Sequence, residues 1–205
     1  MAISAAKVKG ETHQMNTPAH LIFGATAFAK PGQRAVTLGA LAGALAPDLS
    51  LYLLAGWQLF IIGTDPQIVF RVMYYSEAWQ AIFAVDNSFF VWGGLLGLAL
   101  MAKRPALIAF AGAGLLHLAL DFPLHNDDAR AHFWPVTDWR FISPVSYWDT
   151  RHYGGIVGPI EMVMTLLCLF VLWRRFRAVI PRIIMTIAAV LQIAPFVVWA
   201  FVFRA

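Results

Sequence analysis

Five apolar segments, at residues 35–62, 87–102, 105–121, 155–173 and from about 183 to Phe203, constrain this chain more than any other feature. Several are longer than a soluble core helix needs, and about 20 apolar residues in a helix cross a hydrocarbon layer about 30 Å thick. A composition 60% hydrophobic and only 13% charged, with a mean hydropathy of +0.68, agrees. The expected fold class is therefore an all-α integral membrane protein rather than a soluble globular one. It has about five transmembrane helices, a short N-terminal partial or re-entrant helix, and a long outward-facing loop.

The short helix is expected at residues 17–29, where Thr17-Pro18 is a strong helix start. Its dozen residues rise only about 18 Å, too little to cross. Residues 1–16 form a polar extension without the apolar core of a signal peptide. Residues 17–205 read as a single helical membrane domain without internal repeats. Pro47 is expected to kink or break the segment 35–62. Residues 63–86 mix polar and aromatic side chains in a pattern suited to a helix lying at the interface.

The formal charge of +4 comes from short basic clusters at the ends of apolar runs, which report orientation in a bilayer rather than nucleic-acid binding. Placing Lys30 and Arg34, Lys103 and Arg104, and the arginines of 174–182 on the inner side turns the loops 63–86 and 122–154 outward. The single cysteine, Cys168, excludes an internal disulfide and every cysteine-based metal spacing, so any bound metal must use nitrogen and oxygen ligands.

The stretch from His117 to His152 holds four of the six histidines and five of the eleven acidic residues. His117 and Asp121 are separated by one helical turn, so both can reach one metal ion. Asp48 lies within an apolar segment, where a carboxylate costs roughly 2.5–3.5 kcal/mol and needs a partner. Helix rise from the basic turns puts His20, Asp48, His117 and Asp121 in the outer half of the membrane. The bland alternatives are a buried His117–Asp121 pair pinning two helices, a headgroup contact for His20, and a capping role for Asp48. In the loop, Arg130, Arg140 and Arg151 can bind phosphate or pair with nearby acids. The aromatic residues Phe133, Trp134, Trp139, Phe141, Tyr147, Trp148 and Tyr153 suit an interfacial belt. Glu161, just after Gly158-Pro159, suits a general base or a partner of Arg151.

His20 in Asn16-Thr17-Pro18-Ala19-His20, then Ala46-Pro47-Asp48, then His117-Leu118-Ala119-Leu120-Asp121, resembles the bacterial family described as inner-membrane, metal-dependent hydrolases regulated by LexA. The resemblance covers roughly residues 15–149 and rests on short motifs in the right order. It implies that His20, Asp48, His117 and Asp121 ligate a divalent metal, zinc by preference, and that the activity is hydrolysis of an ester or phosphodiester. Two positions depart from the family pattern. Ser50 stands where a second acid is usual, and Asn87 stands where a histidine is usual, which leaves a one-metal site or an inactive descendant open. The family's chains begin close to the position of Met15. On this reading His125, His132, Asp127, Asp128 or Glu161 orients water or protonates the leaving group. The expected partners are membrane lipid and a lipid-like substrate at the periplasmic side of the inner membrane. Two other classes remain: a non-catalytic subunit of a membrane complex, docking through its Trp- and Arg-rich loop, and a transporter using buried acids as an ion path.

Overall fold

The structure, a computed structural model, describes residues 17–147 and 149–202, with side chains described as far as residue 194. The polar segment 1–16, Trp148 and the expected end of the last helix at Phe203 lie outside the described residues. Among those described, the chain is all-helical. Its order is α1 (Thr17–Phe28), α2 (Arg34–Gly56), the π-helical turn Trp57–Ile62, α3 (Pro66–Ile68), a second π-helical turn Val69–Met73, α4 (Glu77–Asp86), α5 (Phe89–Met101), α6 (Pro105–Asp121), a 3-10 turn Thr150–His152, α7 (Gly154–Arg175) and α8 (Val179–Val202).

Among the described residues, three stretches are long and apolar enough to cross a membrane: Arg34–Ile62, Glu77–Met101 and Gly154–Arg175. Pro105–Asp121 and Val179–Ala194 are shorter apolar helices. In such a setting helices suit the chain, because each backbone polar group finds its partner within the segment.

Two elements bear on the sequence expectation. Of the kink or break expected at Pro47, the break is absent, and the helix runs on to Gly56. Proline removes one backbone donor, and this single loss is outweighed by the packing of the surrounding helix. The second stretch starts at Glu77, ten residues before the expected crossing, because Ser76 caps α4 and Ser88 separately caps α5 through the Phe90 and Val91 amides.

α2 crosses α6 at very short range. A Cβ at Gly43 would lie 1.9 Å from the Phe110 carbonyl oxygen, and one at Gly39 would lie 2.3 Å from that of Ala106, so only glycine permits this approach. α1 rests on α2, α6 and α7. Ile22 of α1 packs with Leu169 and Leu172 of α7 and Met185 of α8. On the other side of α2, Leu51 and Ala55 pack with Val69, Tyr74, Trp79 and Phe83. The loop after α6 is packed inward in part: Ala129, Arg130, Ala131, His132, Ser143 and Ser146 are buried. The Phe89 amide donates to the His132 carbonyl, and Ser88 Oγ to that of Trp134, which ties the loop to the α4–α5 junction.

Candidate metal centre

The close packing of α1, α2 and α6 brings four polar residues to a shared point, one each from α1 and α2 and two from α6. His20, Asp48, His117 and Asp121 are all buried. His117 and Asp121 lie one turn apart on α6, as their spacing requires. His117 Nδ1 is 2.7 Å from the carbonyl oxygen of Ala44, in the turn of α2 beside Pro47. A carbonyl only accepts, so Nδ1 carries the hydrogen, and in a neutral ring Nε2 presents a lone pair.

That Nε2 lies 3.1 Å from Asp121 Oδ2 and 3.6 Å from Asp48 Oδ1. Two carboxylates around one ring nitrogen are balanced by a cation there, either a proton on Nε2 or a metal ion. A histidine held through Nδ1 by a backbone carbonyl, with Nε2 turned inward, is the usual orientation of a metal ligand.

Asp121 is the centre of the group. Its Oδ1 is 2.8 Å from His20 Nε2, and the His20 and His117 rings are stacked with centroids 3.8 Å apart. Ligand atoms of His20, His117 and Asp121 lie within 4.8 Å of one another, so small shifts allow all three to bind one ion at bond lengths near 2.0–2.2 Å. The donor set of nitrogen and oxygen suits zinc and other divalent ions alike. Asp48 stands at the edge, its Oδ2 accepting from Thr17 Oγ1 at 2.8 Å. Thr17 is in turn in short contact with the Tyr52 hydroxyl. Neither Thr17 nor Tyr52 was expected at the site. The signal was available: Thr17 is three residues before His20, and Tyr52 four after Asp48, on the same helical faces.

The loop residues divide. His125 joins the group, with Nε2 3.2 Å from Asp121 Oδ2 and Nδ1 2.7 Å from Asp128 Oδ2. Burial opposes its protonation, but Asp121 and Asp128 outweigh burial and lift its pKa to about 10. Burial would raise the Asp128 carboxyl, and His125 holds it below the ordinary value instead. Arg130 is buried nearby against Tyr74 and Phe83. His132 is elsewhere, its Nδ1 donating to the Asn87 carbonyl and its ring packed on Phe89 and Phe122.

Asp127, Asp138 and Arg140 are exposed. Arg151 pairs with Asp149 at 2.9 Å, and His152 Nδ1 approaches the same carboxylate. Glu161 is half-buried on α7, and its charge bears on Tyr147. Asn87 donates to the Phe83 and Pro47 carbonyls and so ties α4 to α2. Ser50 is half-buried on α2, with its hydroxyl beside the Asp86 carboxylate.

Beside the metal-binding group lies a cavity of about 440 Å³. Asp48, Asn87, Asp121, His125, Asp128 and Arg130 line it together with the apolar side chains Leu51, Leu59, Phe60 and Phe70. The arrangement defines a class: a helical protein with three helices able to cross a membrane and a buried histidine–aspartate group able to hold a metal ion, open to an amphipathic cavity. Comparison with protein-family models, curated proteins and solved structures finds no match.

Proposed function

We propose that the protein is a multi-pass inner-membrane hydrolase that uses one divalent ion, zinc by preference, to cleave an ester or phosphodiester at the outer interface. The observation that carries this reading is His117, whose Nδ1 is fixed on Ala44 while its Nε2 faces Asp121 at 3.1 Å and Asp48 at 3.6 Å. The likeness of the His20, Pro47-Asp48 and His117–Asp121 motifs to the LexA-regulated hydrolase family supports the same reaction class. Five crossings, with the loop 122–154 on the periplasmic side, fit the distribution of basic turns.

In this reading His20, His117 and Asp121 hold the ion, with Asp48 as a fourth ligand or a holder of water. A bound divalent ion lowers the pKa of a coordinated water and polarises the substrate oxygen. His125, between Asp121 and Asp128 at the cavity wall, is placed to protonate the leaving oxygen. Thr17 orients Asp48 through its Oδ2. Arg140, Asp127, His132 and Glu161 take no part in this arrangement.

The test is metal content of the detergent-purified protein by elemental mass spectrometry, with wild type beside His117→Ala and Asp121→Asn. About one ion per chain in wild type, lost in both variants, is expected. Stoichiometric metal retained in His117→Ala would refute the ligand assignment. A second reading, a non-catalytic subunit of a membrane complex, draws on the exposed loop side chains Val136, Trp139 and Ile142. Metal-free wild type that co-purifies with a stoichiometric partner would favour it.

A further inference from the structure

The cavity lining is both polar and apolar, and the reading above uses only the polar residues. Among these, Arg130 is only 6% exposed. Its guanidinium carbon lies 4.3 Å from the Phe83 ring centroid and 4.8 Å from that of Tyr74. Cation–π contact with two rings fixes the guanidinium and keeps water from it. Nη1 nevertheless has no hydrogen-bond partner, and neither has Asp128 Oδ1 on the same cavity wall. A buried cationic donor left open beside a cavity suits an anionic acceptor, and a guanidinium matches phosphate oxygens best. The open carboxylate oxygen suits a hydroxyl donor next to that phosphate.

The rest of the lining is largely apolar. Phe60 belongs to it while remaining 84% exposed, and it stands on the π-helical turn Trp57–Ile62, which buries none of its residues. The apolar wall therefore runs out onto an uncovered apolar strip that continues over Ile61 and Ile62. The cavity volume of about 440 Å³ lies within the roughly 300–1,000 Å³ range of small-molecule sites, and the strip accommodates a tail that extends beyond it.

We propose that this cavity binds a single-chain amphiphile with a phosphate headgroup. Arg130 and the metal-binding group take the phosphate, Asp128 accepts from a neighbouring hydroxyl, and the acyl chain leaves past Phe60. The inference rests on the metal reading, because Asp48, Asp121 and Asp128 would repel an anionic headgroup without the ion's positive charge.

The probes are palmitoyl lysophosphatidic acid, the matching monopalmitoylglycerol and inorganic phosphate, each retained on zinc-loaded full-length protein and measured by native mass spectrometry. Wild type is expected to retain the phosphate lipid at least about tenfold more than the neutral one, with free phosphate weaker still. Arg130→Gln should lose about tenfold in that retention while keeping its metal. Gly56→Leu provides a variant that does not depend on the arginine. Gly56 lines the cavity in ordinary helical conformation and a Cβ there meets nothing within 4 Å, so a leucine fills the chain site without a clash. It should lower retention of both lipids and leave metal and free phosphate unchanged.

Equal retention of the two lipids, or wild-type retention in either variant, overturns the proposal. Free phosphate bound as tightly as the lipid would also overturn it, by assigning the site to the free anion. Metal content of the same samples separates the two readings. Bound metal without lipid preference removes the amphiphile alone. Absence of metal removes the hydrolase and, with it, the amphiphile.

Discussion

Acidification should release the loop after α6 through His132. This ring is buried, its Nδ1 donates to the Asn87 carbonyl at 2.8 Å, and Phe89 and Phe122 lie on it with centroids 5.4 Å away. Burial pushes its pKa down to about 4, against the opposing pull of the Asn87 carbonyl. Once the loop opens, the imidazole regains an ordinary pKa of about 6.5. Above that value neither state binds a proton and the packing is at full strength. As pH falls from about 6.5 towards 4, the open loop takes up a proton that the packed loop refuses, so the packing weakens. The full difference of about 2.5 pH units is worth about 3.4 kcal/mol, of which about 2 kcal/mol is lost by pH 5, roughly a thirtyfold rise in opening. Hydrogen exchange of peptides covering residues 129–136, corrected for intrinsic rates and compared at pH 7 and 5, measures that rise. His132→Asn keeps a donor for the Asn87 carbonyl but does not titrate, so its opening should be flat over this range. An unchanged wild-type opening between pH 7 and 5, or an identical rise in His132→Asn, would refute the reasoning.

Three further outcomes are expected. Thr17→Val removes the hydroxyl that holds Asp48 Oδ2 and should weaken metal binding about 10- to 100-fold in chelator competition; unchanged affinity would put Asp48 outside the coordination sphere. Gly43→Ala forces α2 away from the Phe110 carbonyl and should cost about 1–3 kcal/mol or more, read as a lowered melting temperature in detergent beside Gly93→Ala, whose Cβ meets nothing. The Asp149 carboxyl is held below the usual carboxylate range chiefly by Arg151, so the contacts it makes persist above about pH 3.9 and are lost as pH falls through its lowered value. Asp149→Asn should remove that acid-dependent step from hydrogen exchange at Arg151 and His152, and a step of undiminished size would contradict the assignment.

The helical class and the pairing of His117 with Asp121 were legible because both depend on local periodicity. Apolar runs report helices, and a four-residue interval reports one face. The convergence of His20 and Asp48 on that pair was legible less directly, through helix rise counted from the basic turns at Lys30 and Arg34. What escaped the sequence is set by partners distant along the chain. Pro47 signals a break locally, but Gly39 and Gly43 seat α2 against α6 so closely that the helix persists through it. Asn87-Ser88 reads as the start of a crossing because Ser88 caps α5, while the apolar stretch already begins at Glu77. The loop 122–154 has the composition of a solvated segment, yet Arg130 is buried because Tyr74 and Phe83 lie across it, and His132 because Asn87 and Phe89 receive it. Each of these burials makes a polar group depend on a partner that no local pattern announces. Arg130 is the case with a consequence: the sequence left it between a phosphate and a nearby acid, and two rings that cover its faces while Nη1 stays without a partner favour the phosphate.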